Sequence, residues 1–277
     1  MSESASPDVP VLVAVEDGVA RCHLNRPPLN LLDPALLAAI RACFEALARD
    51  ASVRVAVIAG EGRAFTAGMN VRVLHDLDVA GAKALITGVH QAIHAVHEAP
   101  FPVIAEVNGP CLGAGFELAL ACDLRVAADT ASFGLPEVLV GVPSVVEAAL
   151  LPHLVGPGRA AEMLLCGTAV SAHQALGWGL VNRVAPAASL GEATHDLVRQ
   201  ILNAGPRAIR LQKELIIRWR QTDLATAVRL GINAFATAYA TGEPQEGARA
   251  FLEKRSPDWK RVGHSETDAL PSRDGMP

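Results

Sequence analysis

The chain has 277 residues, 51% of them hydrophobic and 19% charged. That is enough apolar material for one large α/β domain or a core domain with a helical appendage, and aromatics at only 4% predict an aliphatic, Ala-rich core. A net charge of −5 with no long Lys/Arg run argues against a broad nucleic-acid surface.

Residues 1–10, "MSESASPDVP", are polar, lack an apolar h-region and read as a frayed end rather than a signal peptide. "VLVAV" and "VARCHL" flank Glu16-Asp17-Gly18 and predict a hairpin. Asp33-Pro34 then opens a helix, Asp at the N-cap and Pro in the first turn, with Leu36, Leu37, Ile40, Phe44 and Leu47 along one face. "VRVAVIAG" predicts a buried strand, followed by the turn-rich "EGRAFTAGMN" and a helix over about 81–98. "PVIAEVNG" is the next strand. It feeds "NGPCLGAGFELALACD", where small residues lead into an apolar helix from about Gly113. "CDLRVAAD" and "ASFG" predict short strands, and the alternation of strand and helix predicts a largely parallel sheet.

From about residue 144 the pattern turns mostly helical. Ser189 with Glu192 has the spacing of a capping box, and Gly205-Pro206 breaks the chain before "RAIRLQKELIIRWR". Helical patterning continues to about Arg255, and the polar end "GHSETDALPSRDGMP" is expected to be disordered. No uninterrupted apolar segment is long enough to span a bilayer. The five cysteines, Cys22, Cys43, Cys111, Cys122 and Cys166, form no CxxC pair and predict reduced thiols in a cytoplasmic protein.

Gly113-Ala114-Gly115 follows a strand and precedes a helix, as in a dinucleotide fingerprint. That fingerprint requires a further Gly or Ala at position 118, which is Leu. What the turn does offer is backbone N–H groups at a helix N-terminus, which bind anions and developing oxyanions. "FTAGMN" is a second such stretch; one N–H from each could grip a single carbonyl oxygen, or both could be ordinary tight turns. Glu117 and Glu137 are each a single acid among apolar neighbours. Facing one cavity, they could share a water and divide acid and base steps; otherwise each is an element-end acid or an ion-pair partner. His90, His94 and His97 have spacing that can hold a metal, but no Cys or Asp completes a ligand set, so a partly solvated helix face is expected and no metal. Ser144 is not in a G-x-S-x-G elbow, so nothing supports a serine hydrolase.

Taken in order, "HLNRPPLN", "VRVAVIAGEGRAFTAGMNV", "FPVIAEVNGPCLGAGFELALACDLRVAADTASFGLPEVLVGV", "LVGPGRAAEMLLCG", "SAHQALGWGLVNRV" and "GARAFLEKRSPDW" resemble the crotonase, or enoyl-CoA hydratase/isomerase, superfamily over roughly 10–260. The resemblance implies an α/β crotonase fold, a spiral of ββα units with a helical C-terminal region. It places a spiral core at 11–200, a helical oligomerisation region at 201–261 and disordered ends at 1–10 and 262–277.

The resemblance also assigns roles. Two glutamates twenty residues apart, Glu117 and Glu137, are expected to hold and deprotonate or reprotonate the reacting water. The N–H groups of Met69 and Ala114 are expected to form an oxyanion hole for an acyl thioester, with Ala67, Gly68, Asn70, Gly113 and Pro136 around the substrate and Phe251 and Lys254 near coenzyme A. The implied reaction is hydration of a trans-2-enoyl-CoA to a 3-hydroxyacyl-CoA. Double-bond isomerisation, hydration of a branched or aromatic acyl-CoA, and a non-catalytic acyl-CoA scaffold are the alternatives. No metal or redox cofactor is implied; coenzyme A enters as the substrate thioester. A homotrimer or dimer of trimers is expected, with no nucleic-acid or membrane partner. Four departures from the family pattern stand out: Ala114 replaces the usual Gly, Met69-Asn70 replaces a small residue and Asp, Pro28 replaces a basic residue, and "PSVVEAAL" replaces a Gly-rich segment. The last brings an extra acid, Glu147, expected at a helix end or in the pocket, with the helix end favoured.

Overall fold

β1 (Val11–Glu16) and β2 (Val19–Leu24) form the expected antiparallel hairpin over Asp17 and Gly18, whose φ angles are 49° and 80°. Asp and Gly reach that left-handed region at little cost, which is why they hold the turn. The computed structural model describes residues 9–260 and 262. The disordered ends expected at 1–10 and 262–277 therefore lie outside the described residues, except Val9, Pro10 and Val262.

Next comes α1 (Pro34–Leu47), capped as expected by Asp33, whose Oδ1 accepts the Leu36 N–H at 2.8 Å; Leu36, Leu37, Ile40, Phe44 and Leu47 are all buried. β3 (Val55–Gly60) is buried at every position, as its β-branched run requires of a central parallel strand. α2 (Val71–His75) is a short helix with no sequence counterpart above, and α3 (Val79–His97) covers the expected helix. Then follow β4 (Val103–Val107), β5 (Pro110–Leu112), α4 (Ala114–Ala121), β6 (Leu124–Ala128) and β7 (Ser132–Gly134). Two 3₁₀ turns, Pro136–Val140 and Val146–Leu150, lead to α5 (Leu151–Val155), α6 (Pro157–Cys166), β8 (Ala169–Ser171), α7 (Ala172–Gly177), β9 (Arg183–Ala185) and α8 (Leu190–Leu202).

Six strands form one sheet in the order β1-β2-β3-β4-β6-β9, parallel apart from the first hairpin, so the expectation of a largely parallel sheet holds. A second sheet, β5-β7-β8, pairs β5 with β7 in parallel and β7 with β8 antiparallel. The core is aliphatic and Ala-rich as composition predicts, with Phe44, Phe65, Phe101, Phe116 and Phe133 fully buried among the aliphatic residues.

The capping box lies elsewhere than expected. Ser171 and Gln174 form it at the start of α7. Ser189 ends a 3₁₀ turn, Ala187–Ser189, and its hydroxyl donates to the Pro186 carbonyl at 3.3 Å. A residue already in helical turn geometry cannot act as the extended N-cap that a box requires.

The chain divides into two units, the first ending at Leu202 and the second beginning at Asn203. The second holds α9 (Pro206–Trp219), α10 (Leu224–Tyr239) and α11 (Glu243–Leu252). Within it, buried Glu243 accepts the N–H groups of Arg207 and Ala208, both at 2.9 Å, and so satisfies the first turn of α9. Leu224, Val228, Ile232, Phe235 and Tyr239 leave an apolar stripe of α10 exposed.

Candidate active site

Two loops meet in the first unit. The loop after β3 is held on one side by Leu32, which donates to Gly68 O and accepts from Asn70 N, each at 2.9 Å. On its other side Leu112 N donates to Thr66 O at 3.0 Å. Buried Asn30 fastens its base, its amide reaching the carbonyls of Glu61, Ala64 and Phe65 at 2.8, 2.9 and 3.1 Å. The second loop is the turn from β5 into α4.

Gly68 and Gly113 are where the loops touch. A Cβ on Gly68 would stand 2.9 Å from the Leu112 carbonyl oxygen and 3.7 Å from Gly113 Cα. Both have positive φ, 89° and 55°, so glycine serves here for conformation as well as space. Met69 and Ala114 follow directly on these two glycines, and neither N–H has a hydrogen-bond acceptor among the described residues. For Ala114 the reason is general: it opens α4, and the first N–H groups of a helix have no intrahelical partner. Ala67 N is committed to Leu29 O at 2.9 Å, and Asn70 caps α2 through Arg72 N at 3.1 Å. Buried Arg125 caps the other end of α4, donating to the Ala119 and Cys122 carbonyls at 3.0 and 2.7 Å, which suits a cation at a helix C-terminus.

Glu117 lies in the first turn of α4 and is only 2% exposed. Its Oε2 accepts the Ala148 N–H at 2.9 Å. Burial pushes its carboxyl up to about 8; the Ala148 amide pulls back, while Glu137 and Glu147 push further as like charges. Glu137 sits in the 3₁₀ turn that Pro136 opens, half-buried, and its Oε2 accepts the Ser144 hydroxyl at 2.7 Å. Its Oε1 fills the space where a Cβ on Gly113 would be, 2.6 Å from that position. The structure thus brings Glu117, Glu137, Gly113, Ala114, Gly68 and Met69 near one another.

Glu147 adds a group that the reading left at a helix end. It does lie in the first turn of a 3₁₀ helix, but its Oε1 meets His90 Nδ1 at 2.7 Å across α3. It is 8% exposed, and its Oε2 is buried with no hydrogen-bond partner among the described residues. Burial raises its carboxyl, and His90 partly offsets that. His94 stands beside His90, ring centroids 5.2 Å apart, and the nearest ligand-type atoms of His90, His94 and Glu147 lie within 4.8 Å of one another. The helix-face reading of His90 and His94 therefore omitted an acidic partner 57 residues away from His90. His97 turns elsewhere, its Nδ1 3.1 Å from Ala121 O. Ser144, set aside as a nucleophile, matters as a donor to Glu137. Only its place seven residues after Glu137 hints at this.

Phe251 and Lys254 belong to the second unit, Phe251 in the last turn of α11 and Lys254 just beyond it with φ 53°; both are exposed.

A helix N-terminus with an open N–H and two carboxylates beside it is an arrangement that could stabilise a developing oxyanion and move protons. The family described as Enoyl-CoA hydratase/isomerase matches residues 14–262, and the chain belongs to it. Crotonyl-CoA hydratase of Syntrophomonas wolfei is 36% identical over 251 residues, covering 88% of this chain and 95% of that one. Carnitinyl-CoA dehydratase of Salmonella typhi is 35% identical over 243 residues, covering 86% and 93%. The crystal structure of enoyl-CoA hydratase from Bacillus anthracis superposes with a TM-score of 0.87 at 34% identity, covering 91% of this chain and 99% of that one. The fold is the crotonase fold expected from the sequence, and the chain is an enzyme of that family. No helix among the described residues is long and apolar enough to cross a membrane.

Proposed function

We propose that the protein is a hydro-lyase that adds water across the double bond of a trans-2-enoyl-CoA, giving a 3-hydroxyacyl-CoA. The observation that carries this reading is the placement of two glutamates, Glu117 and Glu137, at the Gly113 turn, near two backbone N–H groups that have no acceptor among the described residues. The thioester oxygen sits between Met69 N–H and Ala114 N–H, which stabilise the charge that grows there as the enolate-like state forms. Near neutral pH the buried Glu117 carries a proton, and Glu137 offers Oε1 as an acceptor. The pair takes one proton from water as its oxygen bonds to Cβ and returns one proton to Cα, so the substrate gains H₂O and the pair ends as it began.

This chemistry uses protein groups alone, with coenzyme A as the handle of the substrate. Phe251 and Lys254 are assigned to the nucleotide end, and the apolar stripe on α10 to self-association as a homotrimer or dimer of trimers. Retention of both glutamates favours hydration over isomerisation, where a single acid suffices to move a proton. The direct test is loss of the conjugated-thioester absorbance of crotonyl-CoA, with the product identified by mass as the hydrated thioester. Absence of hydration across short, long and branched enoyl-CoAs would leave the isomerase and scaffold readings in its place.

A further inference from the structure

Glu117 is held by a 3₁₀ turn, Val146–Leu150, that does two things at once. Ala148 gives Glu117 its N–H, and the preceding residue, Glu147, brings a third carboxylate close enough to act on Glu117 as a like charge. An acid buried to this degree needs a partner. Glu147 has one in His90, whose half-exposed ring joins the buried carboxylate to solvent.

We propose that His90 and Glu147 form a positioning pair for Glu117, fixing the turn that holds its carboxylate and setting how firmly it keeps its proton. This rests on the role proposed above for Glu117. The 2.7 Å contact between Nδ1 and Oε1 is a hydrogen-bond distance. Two atoms bound to one Zn²⁺ at about 2.0–2.1 Å in tetrahedral geometry stand roughly 3.3 Å apart, so the geometry is that of a shared proton rather than of a shared metal. Ionised Glu147 acts on Glu117 as a like charge and favours its protonated form, and the His90 contact favours that ionised form of Glu147. The other groups facing this assembly are Glu137 from the Pro136–Val140 turn and His94 from α3, whereas His97 turns to the Ala121 carbonyl. Arg125 lies at the far end of α4, and exposed His153 is on α5. Neither of the last two meets Glu117 or Glu147 in a hydrogen bond.

The test is an infrared carboxyl titration of the full-length resting protein, comparing wild type with Glu147→Gln and His90→Gln, with Glu117→Gln identifying the Glu117 band. Glu147→Gln keeps the shape and removes the charge, so the Glu117 midpoint is expected to fall by half a pH unit or more. His90→Gln keeps a donor for Glu147 but weakens the contact that favours its ionised form, so the midpoint is expected to fall by less than in Glu147→Gln. Where crotonyl-CoA is hydrated, the basic limb of kcat against pH moves with the midpoint, which a purely structural role would not cause. An unchanged midpoint in folded Glu147→Gln overturns the proposal, whether or not the protein hydrates enoyl-CoA. A larger downward shift in His90→Gln than in Glu147→Gln also overturns it. So does uptake of one Zn²⁺ per chain that is lost in His94→Ala, because the cluster would then be a metal site.

Discussion

The carboxylate of Glu117 accepts the backbone N–H of Ala148 at 2.9 Å, although 31 residues separate them in the chain. The bond ties the first turn of α4 to the 3₁₀ turn at Val146–Leu150 and fixes one acid of the pair against the loop that follows the other. One amide does not offset the burial, so the carboxyl remains raised, at about 8.

Glu117→Gln and Glu137→Gln keep size and remove a proton-transfer group. Each is expected to lower kcat for crotonyl-CoA hydration by about 10²-fold or more, with little change in KM or in the circular dichroism of the folded protein. Near-normal turnover in either variant would sink the two-glutamate mechanism.

The same residue predicts how stability depends on pH. Its folded carboxyl titrates at about 8 against an ordinary value of 4.5, so between these pH values the folded state holds a proton that the unfolded state has released. Stability from this group is therefore greatest below 4.5, declines as pH rises to about 8, and is level above it. At about 1.4 kcal/mol per pKa unit the upper bound of the decline is on the order of 5 kcal/mol. Glu117→Gln removes the titration, so its urea midpoint is expected to gain on the wild type across this window. Parallel stability curves for the two proteins would refute the raised carboxyl.

Much of this arrangement could be read from the sequence because its signals are local. Asp33-Pro34 announces α1 within two residues, and the small residues of the Gly113 turn sit one turn before Glu117. Apart from the short, locally capped α2, the elements that were missed are those that local patterning cannot specify. β5, β8 and β9 are three residues each and exist through pairing with distant strands. The Thr66–Cys111 bridge that joins the two loops and the Leu32–Met69 bridge that holds the first of them are of the same kind. Asn30 gave no sign of fastening three carbonyls, and the His90–Glu147 contact depends on where α3 packs.

Gly113→Ala is a sharp probe of the turn. The new Cβ would stand 2.6 Å from Glu137 Oε1 and place a non-glycine residue at φ 55°. The conformation alone costs on the order of 1–3 kcal/mol. Activity should fall further than stability explains, because the carboxylate itself must move. Calorimetry beside kcat separates the two; a folded variant with normal kcat would show that Glu137 Oε1 is not needed at that position.

Ala114 separates the N–H from the side chain. Ala114→Gly keeps the donor and removes a methyl that is buried beside the turn. A loss of about 0.5–1 kcal/mol in stability is expected, with activity retained and bulkier acyl groups near Cα better tolerated. Ala114→Pro deletes the N–H at the first residue of α4, a position where proline is compatible with a helix. The variant should therefore fold, yet lose transition-state stabilisation of about 3–4 kcal/mol, a fall on the order of 10²–10³ in kcat. A folded Ala114→Pro protein with the kcat of the wild type would remove this N–H from the oxyanion hole and leave Met69 N–H to act without it.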